Sequence, residues 1–182
     1  ENKLSDYRVI MIDEFHERRW DMDLILAMLR QRSKHRIIVT SATLNTSKLQ
    51  SYLNAHLLHS DGRVYPVEEV FHAHSANTMP TNDKLSERVV IACQQALSST
   101  TGDILVFLPG KAEIHAAAAA AKKLNRLIVQ LYGGCAKQQQ ELALSVQTEQ
   151  RLIFATNVAE TSLTIPNVSC VIDSGLERRT HL

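Results

Sequence analysis

Short, unbroken apolar runs recur along this chain at helix-length intervals: Val9-Ile10-Met11-Ile12, Ile37-Ile38-Val39, Ile104-Leu105-Val106-Phe107-Leu108 and Leu152-Ile153-Phe154-Ala155. Apolar runs that do not alternate with polar residues belong to strands covered on both faces, and strands separated by helical patterns are joined by crossovers that make the sheet parallel. The pattern predicts an α/β fold. We expect strands at residues 8–12, 36–40, 103–108, 127–132, 151–155 and 169–173, with a short one at Leu57-Leu58. Helices are expected at 17–32, from an Asn45 or Thr46 cap through Leu53, and at 84–98, 111–124 and 137–147. In the first helix, Trp20, Leu24, Ala27 and Met28 recur with a 3.6-residue period and read as its buried face. The six alanines at 116–121 read as a strong helix former packed close to a sheet.

Gly62 and Pro66 interrupt the first series of elements, and the polar stretch 73–83, with Pro80, fits a linker. The expected division is residues 1–70 and 71–182. Twenty Lys and Arg against nineteen Asp and Glu leave a net charge of +1, so the totals supply no argument for nucleic-acid binding. Cys93, Cys135 and Cys170 show no Cys-x-x-Cys spacing, which fits a reducing, cytoplasmic setting. No run of 18 apolar residues occurs, so no membrane association is expected, and residues 1–5 do not spell a signal peptide.

The first apolar strand ends in Asp13-Glu14. Acids there sit at the carboxyl end of a strand, where ligands bind in open α/β sheets. One acid can hold the water shell of Mg²⁺ and the other can orient or deprotonate an attacking water. The same two letters also describe an ordinary solvated turn. His16 lacks the second histidine that a helical zinc site requires, and His72-Ala73-His74 reads as a solvated segment. Ser41-Ala42-Thr43 ends the second strand in two hydroxyls, which suit carboxylates or phosphates and equally suit a helix start. Pro109-Gly110 closes a strand before a helix, where backbone N–H groups can approach a phosphate, although an ordinary turn looks the same. Thr156-Asn157 falls at the carboxyl end of another strand.

Taken in order, these segments resemble the DEAH-box RNA helicases. The carriers are Asp13-Glu14-Phe15-His16 followed by Glu17-Arg18, Ser41-Ala42-Thr43, the run 104–110, the run 155–165, and Val171-Ile172-Asp173-Ser174-Gly175. Phe15 and Phe107-Leu108-Pro109-Gly110 look most like the bacterial HrpB-type branch. The resemblance implies two RecA-like parallel-sheet domains of the P-loop NTPase type, the first only partly present. It implies that Asp13 and Glu14 serve Mg²⁺ and ATP hydrolysis, with Glu14 activating the water, and that His16 couples hydrolysis to nucleic-acid movement. Ser41 and Thr43 would link the nucleotide to the second domain, and Ser162 and Thr164 would approach the nucleotide. Gly110, Thr156 and Asn157 would contact the nucleic acid. Pro166 stands where the family often has an acid near the ribose, a departure that leaves a ribose contact at that position unsupported.

No Gly-x-x-x-x-Gly-Lys-Ser/Thr occurs, and no arginine-rich motif follows the last matched segment. The expectation is an internal piece of a helicase core, inactive on its own and partnered by the rest of a longer polypeptide. In a complete protein it would couple ATP hydrolysis to translocation or unwinding of single-stranded or duplex RNA. The alternatives are a non-catalytic remnant serving as a binding module and a helicase directed at DNA.

Overall fold

The computed structural model describes residues 4, 6–32, 34–42, 46–60, 65–73, 75, 78–157 and 164–178. The chain folds as two compact units, Glu1–Val70 and Phe71–Leu182.

In the first unit, β1 (Val9–Ile12) leads through a 3₁₀ turn (Phe15–Glu17) to α1 (Trp20–Arg32), β2 (Arg36–Val39) and α2 (Thr46–Leu53). β1 and β2 pair in parallel with Ile12 opposite Val39. Alternation along a strand puts Ile10, Ile12, Ile37 and Val39 on one side. There they meet Met22, Leu26 and Leu29 of α1 and Leu49 and Leu53 of α2. Val9, Met11 and Ile38 take the opposite side and are exposed.

In the second unit, the elements are α3 (Leu85–Ser99), β3 (Asp103–Phe107), α4 (Lys111–Ala121), β4 (Leu127–Leu131), α5 (Lys137–Leu144), β5 (Arg151–Ala155) and β6 (Val168–Asp173). The sheet is wholly parallel in the order β4-β5-β3-β6. Ile104, Val106, Leu152 and Phe154 face α3 and α4 on one side. Leu105, Val129, Leu131 and Ile153 face α5 on the other. Ala117, Ala118 and Ala121 are buried, so part of the alanine run brings α4 close to the sheet.

A buried ion pair ties the amino-terminal edge of this sheet together. Arg151 donates from Nε and Nη2 to Asp103 Oδ2 at 2.9 and 2.5 Å. Its Nη1 donates to the carbonyls of Leu142 and Ser145 at the end of α5, at 2.5 and 2.9 Å. Its Nη2 also reaches the carbonyl of Pro166 at 3.4 Å. Nearby, a Cβ on Gly102 would lie 2.7 Å from the Asn167 carbonyl oxygen and 2.8 Å from Ser169 Cβ, so β3 and β6 start too close together for any side chain there. At the far edge, the Gln130 N–H of β4 donates to Gln139 Oε1 at 2.9 Å.

Three expectations need correction. Leu57-Leu58 pairs with no strand among the described residues, and Leu58 is 94% exposed. α1 buries Met22, Leu26 and Leu29, while Trp20, Leu24 and Met28 point outward. Both sets have helical spacing in a segment that is apolar nearly all round, and packing against Ile12 and Phe15 decides between them. The helix begins at Trp20 instead of residue 17, because Glu14 and Arg18 both adopt left-handed backbone and close a separate turn first.

Candidate nucleotide and nucleic-acid sites

Parallel pairing brings the ends of β1 and β2 side by side. The Thr40 N–H donates to the Ile12 carbonyl at 2.9 Å, and the Phe15 N–H donates to the Thr40 carbonyl at 3.0 Å. The chain must therefore turn within two residues, and Phe15 anchors the turn by burying its ring in the first unit's core. Asp13 and Glu14 are held between these fixed points. The Thr40 hydroxyl donates to Asp13 Oδ1, which also accepts the Glu14 N–H at 3.1 Å. Glu14 sits at φ 54°, ψ 39°, a left-handed conformation that costs a non-glycine residue on the order of 1 kcal/mol.

Glu14 Oε2 lies 3.2 Å from His16 Nδ1, and the Ala42 N–H approaches the same nitrogen at 3.4 Å. One ring nitrogen cannot serve both. Protonated, Nδ1 donates to Glu14; bare, it accepts from Ala42. The Asp-Glu-x-His and Ser-Ala-Thr segments thus touch through His16. Asp13 is exposed and Glu14 partly so, outside any buried ion bridge. Thr40 had no assigned role in the sequence reading; its signal is the strand register, which places residue 40 beside residue 13 only once β1 and β2 are aligned. Ser41 is half-buried. Thr43 lies outside the described residues.

The second unit builds its site at the carboxyl edge of the sheet. The chain leaves β3 for β4 in one direction and leaves β5 for β6 in the other. Such a reversal of direction between neighbouring strands is where open parallel sheets bind ligands, here in the crevice at the carboxyl ends of β3 and β5. Gly110 follows β3, and Thr156-Asn157 follow β5. The Leu108 N–H donates to the Ala155 carbonyl at 2.8 Å, and the Thr156 N–H donates to the Leu131 carbonyl at 3.0 Å, which locks these loops together. A cleft of about 530 Å³ lies here, with Phe107, Pro109, Asn157, Asp173 and Arg178 among its walls.

Gly110 starts α4 in extended backbone. A Cβ there would come 2.9 Å from Glu113 Oε2. Glu113 occupies the first turn of α4, where a carboxylate suits the helix dipole, and Arg178 Nη2 approaches its other oxygen at 3.6 Å. The bare α-carbon of Gly110 thus makes room for the helix's own anion. Thr164 is exposed near the end of the β5–β6 connection. Ser162 lies outside the described residues. Among the described residues, no helix is long and apolar enough to cross a membrane.

The model of the helicase conserved C-terminal domain family matches residues 83–181. The ATP-dependent RNA helicase HrpA of Escherichia coli is 34% identical over 96% of this chain and 14% of its own length. The ATP-dependent RNA helicase HrpB of the same organism is 33% identical over 97% of this chain and 22% of its own length. The crystal structure of the Escherichia coli DEAH/RHA helicase HrpB superposes with a TM-score of 0.79 at 32% identity, over 95% of this chain and 23% of that one. The chain therefore spans about a seventh to a quarter of the length of these relatives. Identity does not separate the two bacterial branches. With more than half its residues under the family model and parallel sheets matching a solved helicase, the chain has a RecA-like fold and belongs to the helicase conserved C-terminal domain family.

Proposed function

We propose that this chain is the junction of an ATP-dependent RNA helicase core, with residues 1–70 from the back of the first RecA-like domain and 71–182 forming most of the second. The observation that carries the reading is the acid pair at the end of β1. Asp13 is steered by the Thr40 hydroxyl, and Glu14 is held in strained backbone beside His16. Strain of this kind persists where surrounding structure enforces it, and it clusters at functional positions.

In this reading Asp13 holds the water shell of Mg²⁺, and Glu14 orients and deprotonates the water that attacks the terminal phosphate of ATP. The donor set fits. Mg²⁺ keeps several waters and takes one or two carboxylates plus substrate phosphates, and Asp13 offers an exposed carboxylate already oriented by two donors. When bound, the cation neutralises charge that builds on the phosphates. His16, within reach of both Glu14 and the Ala42 N–H, links the acid pair to the Ser41-Ala42-Thr43 segment. Ser41, Thr43, Ser162 and Thr164 serve the nucleotide and its coupling. Thr156, Asn157 and the Gly110 turn contact the RNA backbone at the crevice.

The isolated chain, with no phosphate-cradling loop in its 182 residues, does not turn over ATP. Phosphate release should match a Glu14→Gln control with or without RNA; RNA-stimulated release above that control refutes the assignment. In a polypeptide that also carries such a loop, Glu14→Gln abolishes turnover and spares nucleotide binding. RNA retention by this chain should fall with Thr156→Ala, measured by fluorescence anisotropy on a labelled single strand.

A further inference from the structure

Between residues 114 and 140 the sequence contains no Asp or Glu, yet it carries Lys122, Lys123, Arg126 and Lys137, together with His115. The net charge of +1 conceals this stretch; within it Lys137 pairs with Glu141 of α5 at 3.4 Å, so the cations that bear on α4 are Lys111, His115 and Lys122. It folds as most of α4, all of β4 and the start of α5. Positions 111, 115, 118 and 122 recur at helical spacing, so Lys111 and His115 share one stripe of α4, and Lys122, which opens the 3₁₀ turn at its end, stands close to that stripe. Glu113, the only acid of α4, turns away from this stripe toward Arg178.

A groove of about 320 Å³ runs beside the stripe, lined by His115, Ala118, Ala119, Lys122, Ile128 and Gln130. Alanine side chains keep its floor low. At its head, Tyr132 packs edge-on to His115 with ring centroids 5.5 Å apart, and Lys111 Nζ lies 5.0 Å from the Tyr132 ring centroid. Tyr132 directly follows Leu131, whose carbonyl accepts the Thr156 N–H. The groove therefore begins at the same sheet edge as the crevice.

We propose that this groove is a second contact surface for single-stranded RNA, continuing the path from Thr156 and Gly110 down the flank of α4. The inference rests on the RNA reading of the crevice given above. Its chemistry is that of a single-strand track: Lys111 at the head and Lys122 at the foot, eleven positions apart along the helix, meet phosphates a few nucleotides apart, and the Tyr132–His115 pair at the head lies where a base can pack beside it. An acidic peptide would use the lysines and leave Tyr132 and His115 without a role.

The test is RNA binding by the full 182-residue chain across a salt series, read by anisotropy of a labelled oligouridylate. Ala119→Glu puts a carboxylate on the groove floor at an exposed helical position that glutamate tolerates, and far-UV circular dichroism checks its fold. Its affinity should fall about fivefold, while Gln95→Glu on α3, with the same change in net charge, should have less effect. Lys122→Ala should make the slope of log K against log salt shallower by about 0.7, the value for one phosphate contact on a single strand. Equal affinities for Ala119→Glu and Gln95→Glu, or an unchanged slope for Lys122→Ala, overturn the groove. If Thr156→Ala still weakens binding in that case, the crevice reading stands alone. If the unaltered chain retains no RNA, both fall. A polyglutamate peptide that displaces the RNA as well as unlabelled oligouridylate does overturns the assignment to nucleic acid.

Discussion

Replacing Arg151 by methionine tests what holds the second unit's sheet together. The guanidinium is fully buried and spans three elements: Asp103 of β3, the carbonyls ending α5, and Pro166 before β6. Methionine fills much of the volume and supplies none of the donors. Asp103 would keep only the Arg151 backbone N–H, now at 2.7 Å, as a partner for a buried carboxylate. Removing one member of such a pair costs about 3–5 kcal/mol, because the remaining charge is left uncompensated. A domain of this size has about 5–15 kcal/mol in total, so the variant should sit near its unfolding threshold at 37 °C. The double variant Asp103→Leu/Arg151→Met removes both charges and should recover most of the loss, giving a coupling of about 2 kcal/mol or more in a double-mutant cycle. Native-state hydrogen exchange of the β3 and β5 amides is the suitable assay, since it separates this unit from the first. The only tryptophan, Trp20, reports on the first unit and serves as the internal control. A loss below about 1 kcal/mol for Arg151→Met, or a double variant no better than the single, would refute the argument.

Gly102→Ala forces a Cβ against Asn167 and Ser169, and should lower the denaturation midpoint by the equivalent of about 1–3 kcal/mol without changing the unfolding slope. Glu14→Gly releases left-handed strain and should raise the first unit's stability by about 1 kcal/mol, read by urea titration, while removing the proposed base. Burial pushes the Cys93 thiol up to about 12 from an ordinary value of 9.0. Its folded pKa exceeds its unfolded one, so the stability it contributes is complete below pH 9 and is lost as pH climbs toward 12. Iodoacetamide at pH 8 should accordingly label Cys93 only after the chain unfolds, as peptide mass spectrometry can follow.

Strands β1, β2, β3 and β5 were legible because each carries a continuous apolar run, a pattern that survives whatever packs on top of it. The buried face of α1 was not, since Trp20, Leu24 and Met28 compete on equal terms with Met22, Leu26 and Leu29 until Ile12 and Phe15 choose a side. Asp13 and Glu14 announced themselves by standing at the end of a strand. The hydroxyl that orients Asp13 did not, because Thr40 is twenty-seven positions away and meets it only through strand register. Asp103 and Arg151 open their strands, and nothing in the sequence signals that they pair; only the three-dimensional meeting of β3, β5 and the end of α5 turns them into a clamp. The acid-free stretch from 114 to 140 was open to inspection all along, and averaging charge over the whole chain erased it.

The bond from the Gln130 N–H to the Gln139 side chain has a consequence for how β4 meets other molecules. An outermost strand presents bare amides that recruit a neighbour of the same kind, the first step toward polymerisation. Here an amide from the following helix takes up one of those donors and interrupts the template. The border of the sheet is thereby poorly suited to extension by another strand, while the lysines alongside it keep their reach toward a flexible polyanion.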